Sequence, residues 1–207
     1  MIICLEGPSA VGKTTTCAAL AEYMGAYIVP EVNALFARPV EVSPNWYLEC
    51  QAARWEIAQK QQEQHGLVVL DGDVFQPLWY NWAFAGYQDL DTLSEFFRPR
   101  IEAGLLGFPD HYFCLLTSED ELRRRREADQ TRTRRNFDAH LRLIQAQPRY
   151  FGAMSRLAPG MVHPVEAESV ETNTTRIRDK IAVPSVNPPS ALSLFDGLME
   201  WLRSSKA

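Results

Sequence analysis

Lysine is scarce in this 207-residue chain: of 21 basic residues only four are lysines, Lys13, Lys60, Lys180 and Lys206. Long apolar runs are missing too, and none approaches the ~20 residues a membrane helix requires. The four cysteines, Cys4, Cys17, Cys50 and Cys114, lie too far apart for a zinc spacing. They read as reduced core thiols, which sets an expectation of a cytoplasmic protein. Internal repeats and low-complexity tracts are absent. Met1 to Leu5 runs straight into Glu6 and Gly7, which is not the pattern of a secretory leader. An excess of positive charge is also lacking. The net charge of −5 argues against nucleic acid as the main partner. What remains is an ordinary composition, 46 % hydrophobic and 23 % charged, in a length that suits one domain over residues 1–207.

Short apolar runs recur at Met1–Leu5, Ala26–Val29, Leu67–Leu70, His111–Leu116 and Met161–Val165. Unbroken runs of this length suit strands buried on both faces, as in a parallel sheet. Helical composition fills the gaps: Thr14–Met24 before Gly25, Trp46–His65 before Gly66, and Phe137–Leu157. Gln76–Leu106 is expected to hold a helix broken near Gly86 and Pro99. Ser118, followed by Glu119, Asp120 and Glu121, has the cap and first-turn acids of a helix start. Ala191–Leu202 closes the chain after a proline-rich connector. Strand–helix alternation implies βαβ units and a three-layer α/β fold.

Gly7-Pro8-Ser9-Ala10-Val11-Gly12-Lys13-Thr14 fits the G-x-x-x-x-G-K-[ST] phosphate loop in full. An apolar strand precedes it and a helix pattern follows, as the chemistry demands. Gly7 and Gly12 let the backbone bring N–H groups against phosphate oxygens, and the helix start adds its positive dipole end. Lys13 should bridge the β- and γ-phosphates of ATP, and the Thr14 hydroxyl should complete a Mg²⁺ shell, with Thr15 beside it. No Asn-Lys-x-Asp element of a GTPase accompanies the loop. The arginines are concentrated: nine of 17 fall between Arg123 and Arg149. Their planar forks suit a small polyanion.

With these residues in view, the chain resembles the P-loop small-molecule kinase group that includes deoxynucleoside kinases, thymidylate kinase and chloramphenicol phosphotransferase. The resemblance spans most of residues 1–157 and implies a five-stranded parallel sheet with the phosphate loop after the first strand. It further implies an arginine-rich helical lid, here roughly 123–136, closing over the triphosphate. Arg123 and Arg126 share one face of that segment, and Arg132, Arg134 and Arg135 return from its far side. In this group a carboxylate ending the second strand takes the proton from the attacking hydroxyl. Glu31, after Val29-Pro30, holds that place. Leu67-Val68-Val69-Leu70-Asp71-Gly72-Asp73 resembles the element whose acid holds Mg²⁺, and Asp71, ending the strand, is the metal candidate ahead of Asp73. The arginine usual after that acid is replaced by Gly72. Glu31, Asp71 and Asp73 all stay open as the base. Gln51, one turn from Arg54, corresponds to a glutamine that reads a base edge, and Arg38 could hold acceptor or phosphate. Phe75, Trp79, Tyr80, Trp82, Phe84 and Tyr87 follow the third strand at spacings that suit core packing, with stacking walls for a planar acceptor as the alternative. The resemblance also places the fifth strand and the loop beside the adenine within Val165–Thr174.

The resulting expectation is an ATP- and Mg²⁺-dependent kinase of a small-molecule acceptor, a nucleoside or nucleotide first, an antibiotic or other metabolite second. A nucleotide-dependent regulatory ATPase is the competing class. Neither a membrane nor a nucleic acid enters as partner, and a homodimer is compatible with everything above.

Overall fold

The computed structural model describes residues 1–84, 88–129, 137–182 and 189–205. Five strands, β1 (Ile2–Glu6), β2 (Tyr27–Val29), β3 (Val68–Asp71), β4 (His111–Leu116) and β5 (Val162–Glu166), form one sheet in the order β2-β3-β1-β4-β5. Every pairing is parallel, with Cys4 level with Leu70 on one side and Tyr112 on the other. This is the doubly covered parallel α/β sheet that the apolar runs imply, and each strand falls within a residue or two of its run.

Alternation along the strands builds two cores. Ile2 and Cys4 of β1 and Tyr112 and Cys114 of β4 face one layer. That layer comprises α3 (Trp46–Gln62), α4 (Gln76–Ala83), α5 (Leu90–Glu102), α8 (Leu143–Leu157) and α10 (Ala191–Ser204). Ile3, Leu5, Phe113 and Leu115 face the other, against α1 (Lys13–Met24), α6 (Glu119–Ala128) and α9 (Val170–Ile181). A short α2 (Val32–Leu35) follows β2, and a short α7 (Phe137–His140) precedes α8. All four cysteines are buried and unpaired, as expected. No helix among the described residues is long and apolar enough to cross a membrane.

Three sequence expectations change. Val170–Ile181 is a helix, where the chain after Val165 read as strand and loop. Its Thr172, Thr174 and Thr175 are poor helix formers, but the Ser169 side chain accepts from the Thr172 N–H, and Ile177 is buried beside α1. Cap and packing override propensity. Pro99 does not break its helix but lies in the last turn of α5. Phe137–Leu157 is two helices rather than one. The Gly86 break and Arg132, Arg134 and Arg135 of the lid segment lie outside the described residues, as does Tyr87.

Gly7 sits where β1 leaves the sheet, at φ +147°, and a Cβ there would stand 2.5 Å from the Leu115 carbonyl oxygen of β4. Gly7→Ala is therefore expected to lose about 2–4 kcal/mol of stability, from a backbone clash and a conformation alanine resists. Urea unfolding checks it, and an unchanged midpoint would show that the strand exit is not so constrained.

Candidate active site

Parallel strands deliver their C-terminal ends to one edge, and the connections from β1 and β3 diverge there to open a crevice. Three acidic strand ends meet at it: Glu6 from β1, Glu31 just past β2, and Asp71 with Asp73 from β3. The phosphate loop rises from the same edge. Gly7 and Gly12 (φ +104°) take conformations glycine favours, and Ala10 is held at φ +72°, a strained position for a side-chain-bearing residue. Gly12 caps α1, so the N–H groups of Lys13, Thr14 and Thr15 begin the helix without intrahelical acceptors, and these residues line the crevice. The Thr15 hydroxyl turns back to the Gly12 carbonyl at 2.8 Å.

Lys13 Nζ donates to the Gly7 carbonyl at 2.8 Å and lies 3.9 Å from Glu31 Oε1. Burial alone would pull its pKa down, but Glu6, Glu31 and Asp71 together raise it, so the ammonium is held firmly charged. Thr14 Oγ1 donates to Asp71 Oδ2 at 2.8 Å, while Asp71 Oδ1 is buried with no partner among the described residues. A hydroxyl and a carboxylate with a spare oxygen, opposite a loop built for phosphate, is a donor set that suits Mg²⁺. Burial pushes the Asp71 carboxyl above the usual range.

Glu6, which in the sequence is no more than an acid closing an apolar strand, is buried beneath the loop. Its Oε1 accepts from the Gly7 N–H at 2.8 Å and from Gln147 Nε2 at 3.2 Å, and its Oε2 accepts from the Asp73 N–H at 2.9 Å. One carboxylate thus ties β1, the turn after β3, and α8. Its pKa is raised by burial, against the pull of Lys13. Asp73 is buried as well, with Oδ1 accepting from Tyr112 Oη at 2.9 Å and from the Phe75 N–H at 3.0 Å. Burial, with Glu6 adding to it, pushes this carboxyl up to about 7.

Arg54 belongs to the frame. It is 1 % exposed, and its guanidinium donates to the carbonyls of Pro30, Asp71 and Gly72 and to Gln51 Oε1 at 2.7–2.9 Å. It braces the ends of β2 and β3 and orients Gln51, whose amide lines the crevice. Gly72, at φ +87°, makes the turn that presents these carbonyls, and a Cβ there would come within 4.0 Å of Glu31 and Glu6.

The crevice encloses about 1240 Å³. One half is lined by residues 7–15, Arg124, Arg125 and the turn from Ala167 to Val170, the other by Glu31, Tyr47, Gln51, Gln76, Trp79 and Gln147. The Tyr47 hydroxyl donates to Gln76 Oε1, and burial pushes its pKa up to about 12. Trp79 and Tyr80 reach the crevice, while Phe75, Trp82 and Phe84 pack in the core.

The arginine block divides differently from expectation. Arg123 pairs with Glu119 and Asp138, and Arg126 lies over the Phe137 ring, and neither lines the crevice. Arg124 and Arg125 do. Arg125 donates to the Val11 carbonyl of the loop at 2.8 Å and to the Ala167 carbonyl at 2.9 Å, which joins the phosphate loop to the β5–α9 turn. Helix phase explains the difference. With Leu122 fully buried, the following residues are rotated so that positions 124 and 125 face the loop. Arg38 is exposed and away from the crevice.

A family model described as AAA domain matches residues 2–148. The chain belongs to the AAA domain family. No curated protein matches it. Among solved structures this AAA-domain chain is similar to deoxyadenosine kinase from M. mycoides with bound dATP, at 18 % identity and a TM-score of 0.55, covering 88 % of this chain and 100 % of that one. It is also similar to thymidylate kinase from Candida albicans, at 15 % identity and a TM-score of 0.55, covering 87 % and 90 %. At such identities the likeness establishes the fold.

The raised Asp73 carboxyl has a consequence for stability. Its folded pKa of about 7 lies above the ordinary 3.8, so the folded chain binds this proton more tightly. That contribution is complete below about pH 4 and is lost as pH rises through about 7. Relative to Asp73→Asn, the wild type should lose on the order of 2–3 kcal/mol between pH 5 and pH 8. Denaturant unfolding of nucleotide- and magnesium-free protein measures this, and a gap between the two proteins that is constant with pH would show that Asp73 does not titrate there.

Proposed function

We propose that the chain is an ATP- and Mg²⁺-dependent phosphotransferase that moves the γ-phosphate to a small-molecule acceptor, with nucleosides and nucleotides the leading class. The observation that supports this best is the crevice itself. Ligand pockets usually measure about 300–1,000 Å³, and this one, at about 1240 Å³, continues past the phosphate loop into a second, aromatic- and amide-lined half. An ATPase switch needs only the first half. The four buried, unpaired cysteines fit a reducing, cytoplasmic setting.

The loop N–H groups and Lys13 hold the triphosphate in line with the second half, and Lys13 neutralises charge on the transferred group. Mg²⁺, when bound by Thr14 Oγ1 and Asp71, offsets charge on the phosphate oxygens. Glu31 is the base. Half-exposed at the junction of the two halves and 3.9 Å from Lys13, it can take a proton from an acceptor hydroxyl as that oxygen attacks the γ-phosphorus. The buried Asp73 has its Oδ1 engaged by Tyr112 and suits this task less well. Arg125, and with it Arg124, lies where it can meet the triphosphate from the helical side. Arg54 and Gln51 shape the acceptor wall: Arg54 spends its donors on backbone carbonyls and Gln51, and Gln51 lines the wall itself.

Incubation with ATP and pools of hydroxyl-bearing metabolites, followed by mass spectrometry, should reveal a phosphoryl adduct. With any accepted substrate, Glu31→Gln should slow transfer by roughly 10²–10⁴-fold while ATP affinity stays nearly unchanged. Full activity in that variant would move the base to another group, and ATP turnover with no adduct in any pool would favour an ATPase.

A further inference from the structure

The two halves of the crevice differ in charge. Among the described residues, the lysine and arginines that line it are Lys13, Arg54, Arg124 and Arg125. Lys13, Arg124 and Arg125 belong to the phosphate-loop half, held by the Gly7 carbonyl, by Glu121, and by Glu121 with the Val11 carbonyl. Arg54 is the one on the acceptor side, and its donors go to three backbone carbonyls and Gln51. Position 72, where a side chain would reach the acceptor, is a glycine in a conformation that resists substitution. His140 also faces this half, and burial, then Lys13, lower its pKa, which favours the neutral ring. Apart from Lys13, which faces Glu31 at 3.9 Å from the phosphate-loop side, the acceptor half therefore presents the Glu31 and Asp73 carboxyls with no uncommitted lysine or arginine beside them among the described residues.

A second observation is independent of charge. Asp73 Oδ2, Gln147 Oε1 and Trp79 Nε1 are buried without hydrogen-bond partners among the described residues, and their side chains line this half at 1 %, 4 % and 1 % exposure. Buried polar atoms are nearly always paired, so three in one wall point to a ligand. Of the three, Gln147 Oε1 accepts hydrogens, Trp79 Nε1 donates one, and Asp73 Oδ2 does either according to its protonation. A phosphomonoester, with a charge of about −1.5 to −2 near pH 7, brings acceptor oxygens and negative charge to a wall that already has both. Sites that hold phosphate spend arginine forks or free N–H groups on it.

Resting on the phosphotransfer reading, we infer that the acceptor is an unphosphorylated alcohol, neutral or positively charged, recognised through hydroxyl or amine hydrogens, and not a nucleoside monophosphate or other phosphomonoester. In the transfer, the alcohol oxygen bonds to the γ-phosphorus, the bond from that phosphorus to the β,γ-bridging oxygen breaks, and the hydroxyl proton passes to Glu31. ADP leaves with the bridging electron pair, and the product is a phosphate ester.

Two arms test this on the full chain. With the loop filled by Mg²⁺ and a non-hydrolysable ATP analogue, calorimetry compares phenyltrimethylammonium with phenyl phosphate. The ammonium should bind at least tenfold more tightly, and the half-exposed Glu31→Gln should narrow that preference several-fold. Phenyl phosphate binding equally or better, or neither probe binding, overturns the inference. The second arm offers ATP with adenosine, thymidine and deoxycytidine, each beside its 5′-monophosphate. An adduct on a nucleoside alone supports the inference, and one on a monophosphate overturns it. An absence of every adduct here and in the metabolite pools counts against phosphotransfer itself, while the probe arm still decides the charge of the acceptor half.

Discussion

Four carboxyl groups, those of Glu6, Glu31, Asp71 and Asp73, are brought to the C-terminal edge of a five-stranded parallel sheet, and the Lys13 ammonium is placed among them by the first turn of α1. Desolvation raises the pKa of Glu6, Asp71 and Asp73, and Lys13 opposes it at Glu6 and Asp71. The carboxylates in turn keep the ammonium charged despite its burial. Neither sign is stable there alone, since removing one partner of a buried charged group leaves the other uncompensated. The loop, the acid that ends β3 and the base candidate after β2 therefore form a single electrostatic unit.

Two braces keep that unit in shape. Glu6 ties the Gly7 and Asp73 N–H groups together from below, and Arg54 ties the Pro30, Asp71 and Gly72 carbonyls from the side. One takes up orphan donors and the other orphan acceptors at strand ends, where the sheet ladder no longer supplies partners. Positioning thus comes from buried groups that never need to touch a phosphate. The surfaces left for ligands are the loop N–H groups on one side and the wall containing Gln51, Trp79 and Gln147 on the other.

Residues whose role is set by the local chain were legible in the sequence. The phosphate loop's placement follows from its own glycines, the strands from their apolar runs, and the positions of Asp71 at the end of β3 and Glu31 just past β2 from those runs, while the roles proposed for the two acids are untouched by this. Residues whose role depends on contacts distant in sequence were not. Glu6 gave only the faint signal of an acid closing an apolar strand, and its partners lie 67 and 141 residues away. Arg54 looked like a helix-face residue beside Gln51 until β2 and β3 were placed against it. In the arginine block, spacing paired Arg123 with Arg126, but the burial of Leu122 sets the rotation of α6 and turns Arg124 and Arg125 to the loop. The α9 helix was hidden by threonines whose propensity packing outweighs.

The proposed activity rests on the loop and its lysine binding a nucleoside triphosphate. Isothermal calorimetry of ATP, with and without Mg²⁺, against the wild type and Lys13→Ala tests it most directly. One ATP per chain, tightened by Mg²⁺ and weakened at least tenfold in a Lys13→Ala variant that stays folded at the assay temperature with a lowered unfolding midpoint, is the expected result. ATP that fails to bind the wild type, or binds it and Lys13→Ala alike, would contradict a phosphate site at this edge of the sheet.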